Sequence, residues 1–196
     1  MKNSKTQPMK NSLYLIAILA VSLTASCEQA PKKKKENTET SKMVTPKKSL
    51  EISLNAKSGS DTSGMVSFEK TESGVKMVAH INGLEPGTHA IHVHQKADCS
   101  SEDGKSSGGH WNPTFKNHGA WGDEAGYHRG DIGNFTADEQ GHGMIEFQTD
   151  EWCLGCDDES KNLLGKAIIV HQGEDDMISQ PSGAAGARVS CAGIIQ

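Results

Sequence analysis

The chain has 196 residues, a formal net charge of −5 with histidine neutral, 34% apolar residues, 21 glycines and five cysteines. That composition excludes a collagen-like, coiled-coil or polytopic membrane protein and describes a soluble, loop-rich domain. The charge is split: residues 1–48 hold ten basic and three acidic groups, net +7, and residues 49–196 hold ten basic and 22 acidic groups, net −12. The first segment is too polar and lysine-rich to bury a core. The second is long enough to bury roughly two-thirds of its unfolded surface.

Residues 1–27 read as an export signal. Lys2, Lys5 and Lys10 form a basic start, and Leu13 to Leu23 is an 11-residue apolar run, shorter than the roughly 20 residues of a spanning helix. The run passes through Thr24, Ala25 and Ser26 into Cys27, a sequence similar to the lipobox of bacterial lipoproteins, with Thr24 where those boxes carry an aliphatic residue. Cys27 is therefore expected to be lipidated and to anchor the chain to a membrane, an ordinary cleavable signal being the alternative. Residues 28–48, with Lys32 to Lys35 followed by Glu, Asn, Thr and Ser, read as a disordered tether. No aromatic residues interleave the lysines and the domain behind them is acidic, so nucleic acid is not an expected partner.

From residue 49 the pattern turns to period two. Leu50, Ile52 and Leu54 alternate with polar residues, as do Val66 and Phe68, and then Val75, Met77, Ala79 and Ile81. Turn clusters separate the runs at Ser58 to Asp61, Thr71 to Gly74 and Glu85 to Gly87. Short strands at this spacing predict an all-β sandwich or barrel over residues 49–196, with no amphipathic helix. Between Cys99 and Asp131 the strand pattern stops, and a loop of that length inside a compact domain is usually functional.

Nine histidines are present. His92 and His94 flank Val93 in a strand-like run, where residues two apart share a face and can chelate one ion. His118, His128 and Asp131 lie in or at the end of the long loop, a nitrogen and carboxylate set suited to zinc. His171 ends the apolar run from Ala167 to Val170 and can point into a site from a strand end.

These residues fall into longer motifs: Ala90 to His94, Gly109 to Pro113, Asn117 to Gly119, His128 to Asn134, Val170-His171 with Asp175 and Asp176, and Gly186 to Cys191. Together, and in this order, they resemble the successive motifs of copper,zinc superoxide dismutases over roughly residues 50–195. The resemblance implies an eight-stranded Greek-key β-barrel with long metal-binding and electrostatic loops. It places the copper ligands on His92, His94, His110 and His171, and the zinc ligands on His110, His118, His128 and Asp131. His110 would be shared, since imidazole alone offers two nitrogens that can face two ions. Asp175 would orient one histidine of each set, and Arg188 would hold a small anion, its alternative being a surface ion pair. His89 matches a structural histidine. His80 and His142 match nothing and read as solvated surface.

The same resemblance implies a Cys99–Cys191 disulfide, in keeping with export. Cys153 and Cys156 depart from the family pattern and are read as a second, local disulfide, an accessory metal-binding or redox-active thiol pair being the alternatives. The implied activity is dismutation of superoxide to O2 and hydrogen peroxide in the cell envelope, with copper and zinc as cofactors. A metal-binding protein with little turnover is the rival class. Sequence fixes neither a homodimer nor the side of the envelope the chain would face. A net charge of −12 repels superoxide on average, so the substrate path would need a local positive cleft.

Overall fold

The computed structural model describes residues 49–196. The expected signal over 1–27, its Cys27 and the tether over 28–48 lie outside the described residues. The first three expected strands form as β1 (Ser49–Ala56), β2 (Ser63–Thr71) and β3 (Gly74–Asn82). The remainder are β4 (Gly87–His94), β5 (Gly133–Ala137), β6 (Gly143–Thr149), β7 (Ala167–His171) and β8 (Arg188–Gly193). They close into an antiparallel barrel in the order β1-β2-β3-β6-β5-β4-β7-β8. The β3–β4 and β6–β7 connections each cross over two strands, the Greek-key arrangement. Closure leaves no sheet edge unpaired. Among the described residues the only helical element is a 3-10 turn at Lys105–Ser107.

Alternation decides which face each strand buries. Ile52, Leu54, Val66, Phe68, Val75, Met77, Ala79 and Ile81 point inward and are buried, while their neighbours on β1 to β3 face water. In β4 and β7 the alternation is lost, because both faces are covered. Ile91, Val93, Ile168 and Val170 fill the barrel. His92, His94, Ala167, Ile169 and His171 lie on the other face and are also buried, under the long connections that follow β4 and β7. Strands buried on both faces read as continuous apolar runs. In these two the outer face is instead seeded with histidines, and the register sets His92 opposite Ile169 and His94 opposite Ala167.

Both cysteine pairs are disulfides: Cys99–Cys191, across 92 residues, and Cys153–Cys156, across three. The first ties the loop after β4 to β8. The second sits in the β6–β7 connection next to Trp152, which is buried and donates its indole N–H to the Arg129 carbonyl at 2.9 Å. In the loop-entropy account the long bridge is worth about 4–5 kcal/mol and the short one about 1.5 kcal/mol. Replacing Cys99 and Cys191 by serine should therefore lower the urea midpoint far more than the same change at Cys153 and Cys156, as followed by denaturation of the two double variants.

Candidate metal centre

The loop after β4 is stitched to the end of that strand by backbone hydrogen bonds. Trp111 donates to the Val93 carbonyl at 2.8 Å, Val93 to Gly130 at 2.9 Å, and Gly130 to Trp111 at 2.9 Å. A Cβ at position 130 would stand 2.2 Å from the Val93 carbonyl oxygen, so only glycine permits this approach. The stitching lays His110 beside β4, with ring centroids 3.9 Å from His92 and 5.0 Å from His94. His118 and His128 stand on its other side, at 5.3 and 5.7 Å.

Five of the six rings are oriented through one nitrogen by an acceptor, His110 among them through its Nδ1–H to Asp131 Oδ1 at 2.8 Å. His94 donates its Nδ1–H to the Gly108 carbonyl at 2.9 Å and His171 its Nδ1–H to Gly186 at 3.5 Å. His92 and His118 both donate from Nε2 to the carboxylate of Asp175, at 2.7 and 2.9 Å. A carbonyl or carboxylate can only accept, so the tautomers follow. In a neutral ring the remaining nitrogen is a lone pair. Six ring nitrogens, His92 Nδ1, His94 Nε2, His110 Nε2, His118 Nδ1, His128 Nδ1 and His171 Nε2, are buried without a hydrogen-bond partner.

Buried lone pairs left unpaired cost free energy unless a cation meets them. They converge in two groups, His92, His94, His110 and His171, and His110, His118, His128 and Asp131, with donor atoms within 4.8 Å of one another in each. His118 Nδ1 and His128 Nδ1 lie 2.9 and 3.3 Å from the Asp131 oxygens but out of hydrogen-bond alignment. Lone pairs crowded so closely against a carboxylate fit a shared metal ion. One set is all imidazole, suited to copper, and the other includes a carboxylate, suited to zinc.

The electrostatics separate the two sets. Burial, reinforced by His110 and His171, holds His94 well below its usual 6.5, and burial with His92 and His110 does the same for His171. Burial also draws His110 down to about 4 against the pull of Asp131. In His118 burial again opposes charge, but Asp131 and Asp175 outweigh it and raise the pKa to about 9. Burial pushes Asp131 and Asp175 up, yet their histidine and backbone N–H partners hold both below the usual carboxylate range.

Arg188, half-buried at the start of β8, donates from Nη1 to the Gly104 carbonyl at 2.8 Å and to Ser107 Oγ at 3.2 Å. Among the described residues no carboxylate lies within ion-pair distance of it, and Asp103 acts on it from farther off. It lines a cleft of about 530 Å3 together with His94, His110, His171 and Lys105. His89 stands apart from both groups, its ring nitrogens 2.7 and 3.0 Å from the carbonyls of Glu85 and His171. His80 and His142 are exposed.

Three supports were not legible in the sequence. Asn134 exchanges two hydrogen bonds with the Asp175 backbone, at 2.8 and 2.9 Å. Gln180 does the same for the His118 backbone, at 2.8 Å each way. Gly183 backs the Asp175–His118 bond so closely that a Cβ would fall 1.7 Å from Asp175 Oδ1. The first of these sits within a quoted motif, His128 to Asn134, but its amide role depends on a partner 41 residues away.

The fold and the paired groups define a β-barrel protein with two histidine-rich clusters that share His110 and could each hold a metal ion. The sequence model of the copper/zinc superoxide dismutase (SODC) family matches residues 62–194. Superoxide dismutase (Cu-Zn) 2 of Aquifex aeolicus (strain VF5) is 35% identical over 68% of this chain and 78% of its own length. An extracellular Cu-Zn superoxide dismutase of Haemonchus contortus is 34% identical over 66% of this chain and 72% of its own length. Among solved structures, a double mutant of a SOD-like protein from Bacillus subtilis aligns with TM-score 0.67 and 29% identity, covering 74% of this chain and 97% of that one. The chain belongs to the copper/zinc superoxide dismutase family, whose cofactors are copper and zinc.

Two outcomes are expected of the site. Zinc added alone at pH 7 should release about one proton, the one His118 carries below about 9. Zinc affinity should rise about tenfold per pH unit up to about pH 9 and then level off, which calorimetry in buffers of different ionisation enthalpy would measure. Gly183→Ala should weaken metal binding by about 10–100-fold by displacing Asp175, as read by competition with a chelator.

Proposed function

We propose that this chain is an exported superoxide dismutase in which His92, His94, His110 and His171 hold copper and His110, His118, His128 and Asp131 hold zinc. The observation that carries the reading is the convergence of the six unpartnered imidazole nitrogens on two centres joined by His110. When bound, copper supplies the one-electron couple that oxidises one superoxide to O2 and reduces a second, which leaves with two protons as hydrogen peroxide, while zinc supplies a fixed charge.

The chain's own residues do the rest. His110 takes up one proton at Nε2 and passes it to the departing product, so a ligand doubles as the acid. Asp131 and Asp175 keep its neighbours in place while it moves. Arg188, a permanent cation fixed by Gly104 and Ser107, attracts and orients the anion in a cleft that opposes the −12 charge of residues 49–196. The 11-residue apolar run, the small residues before Cys27 and the two disulfides support export and lipid anchoring in the cell envelope, where the role would be antioxidant defence.

His110→Ala should abolish dismutation measured by superoxide decay in protein loaded with both metals. Unchanged activity, or a fully loaded wild type that does not turn over, would instead mark a metal-storing or metal-delivering protein. Arg188→Glu should slow decay by about tenfold or more, and added salt should slow the wild type but not this variant. Cys27→Ser should move the protein from the membrane fraction to the soluble one.

A further inference from the structure

The outer face of β2, β3 and β6 is polar: Ser63, Ser67 and Glu69, then Lys76, His80 and Asn82, then Glu146 and Gln148. Two thioethers interrupt it, Met65 at 44% and Met144 at 56% exposure, with Val78 half-buried between the polar residues. The register sets Met65 directly opposite His80, and His80 directly opposite Met144. The three side chains therefore form one row across three neighbouring strands, with the imidazole in the middle. Directly opposed Cβ atoms lie about 4.5–5.5 Å apart, and each methionine has three rotatable bonds with which to reach the ring. Among the described residues no side-chain hydrogen bond or ion pair engages His80.

Met65 and Met144 bury only about half of their surface on this polar face. Their placement on both sides of the single histidine of that face needs a different account. Thioether sulfur is a soft, uncharged donor that selects Cu(I) over zinc, calcium or magnesium, and imidazole completes a neutral donor set for the same ion. The surrounding negative net charge favours a cation.

We propose that Met65, His80 and Met144 form a surface site for a soft monovalent cation, Cu(I). It is distinct from the histidine groups on β4, β7 and the long loops: β5 stands between β6 and β4 in the barrel order, so no ligand is shared. Such a site lets the barrel capture Cu(I) on its outside whether or not the inner sites are filled.

The test is a titration of the copper- and zinc-loaded protein, its copper reduced and its methionine methyls labelled with carbon-13, with Ag(I) as the probe ion. The methyl signals of Met65 and Met144 and the ring signals of His80 should shift together and saturate at about one equivalent, and zinc should leave them unmoved. The paired change Met65→Leu and Met144→Leu conserves volume and should weaken Ag(I) binding by about tenfold or more, with copper and zinc contents unchanged. The proposal fails if the two methyl signals saturate independently, or if the double leucine variant binds Ag(I) with the same affinity and stoichiometry.

Discussion

One buried carboxylate holds the centre together. Asp175 accepts an N–H from His92, in the all-imidazole group, and another from His118, in the group with Asp131. A single side chain thus orients two rings and turns the opposite nitrogen of each toward its own group of donors. Because Asp175 is 1% exposed, its charge is expensive to leave uncompensated, and the two imidazoles with the Met177 amide meet that need. Asn134 clamps its backbone and Gly183 makes room for its oxygens. Shifting this carboxylate would disturb both sites at once.

The barrel provides what such an arrangement demands. Two groups built from seven side chains need rings that do not wander, and a strand interior is a stiff place to mount them. β4 and β7 supply His92, His94 and His171 from their outer face while their inner faces, through Ile91, Val93, Ile168 and Val170, are locked in the core. The histidines are thus anchored by apolar packing behind them and by acceptors beside them. The loops add the remaining ligands, and backbone stitching at Gly130 and the Cys99–Cys191 disulfide hold those loops against the sheet.

Electrostatics divides the labour. Burial keeps His94, His110 and His171 neutral, so one group offers uncharged donors. The other group sits between two ionised carboxylates, which raise His118 to about 9 and favour a fixed dication in its place. Arg188 lines the cleft together with His94, His110, His128 and His171. Lys105 in the same lining is paired with Asp103 at 3.0 Å, which leaves Arg188 as the cation without an ion-pair partner there among the described residues.

Sequence by itself determined the strands with clean alternation, β1 to β3, and, through family resemblance, the side chains that gather into two groups and the pairing of Cys99 with Cys191. These were legible because period two, histidine spacing and ordered motifs are written locally. It did not delimit β5, β6 or β8, since Gly133, Gly143 and the partly exposed positions of those strands blur the alternation that pairing across the barrel imposes. Nor did it single out Asn134 or Gln180, whose roles exist only when residues 41 and 62 positions apart meet, or Gly183, which matters only where it meets Asp175 and His118. The row of Met65, His80 and Met144 is of the same kind: three residues unremarkable in the chain, brought side by side by register alone. What a residue type can do is set by its chemistry. Which residues face one another is decided by strand order and register, and those are properties of the closed barrel.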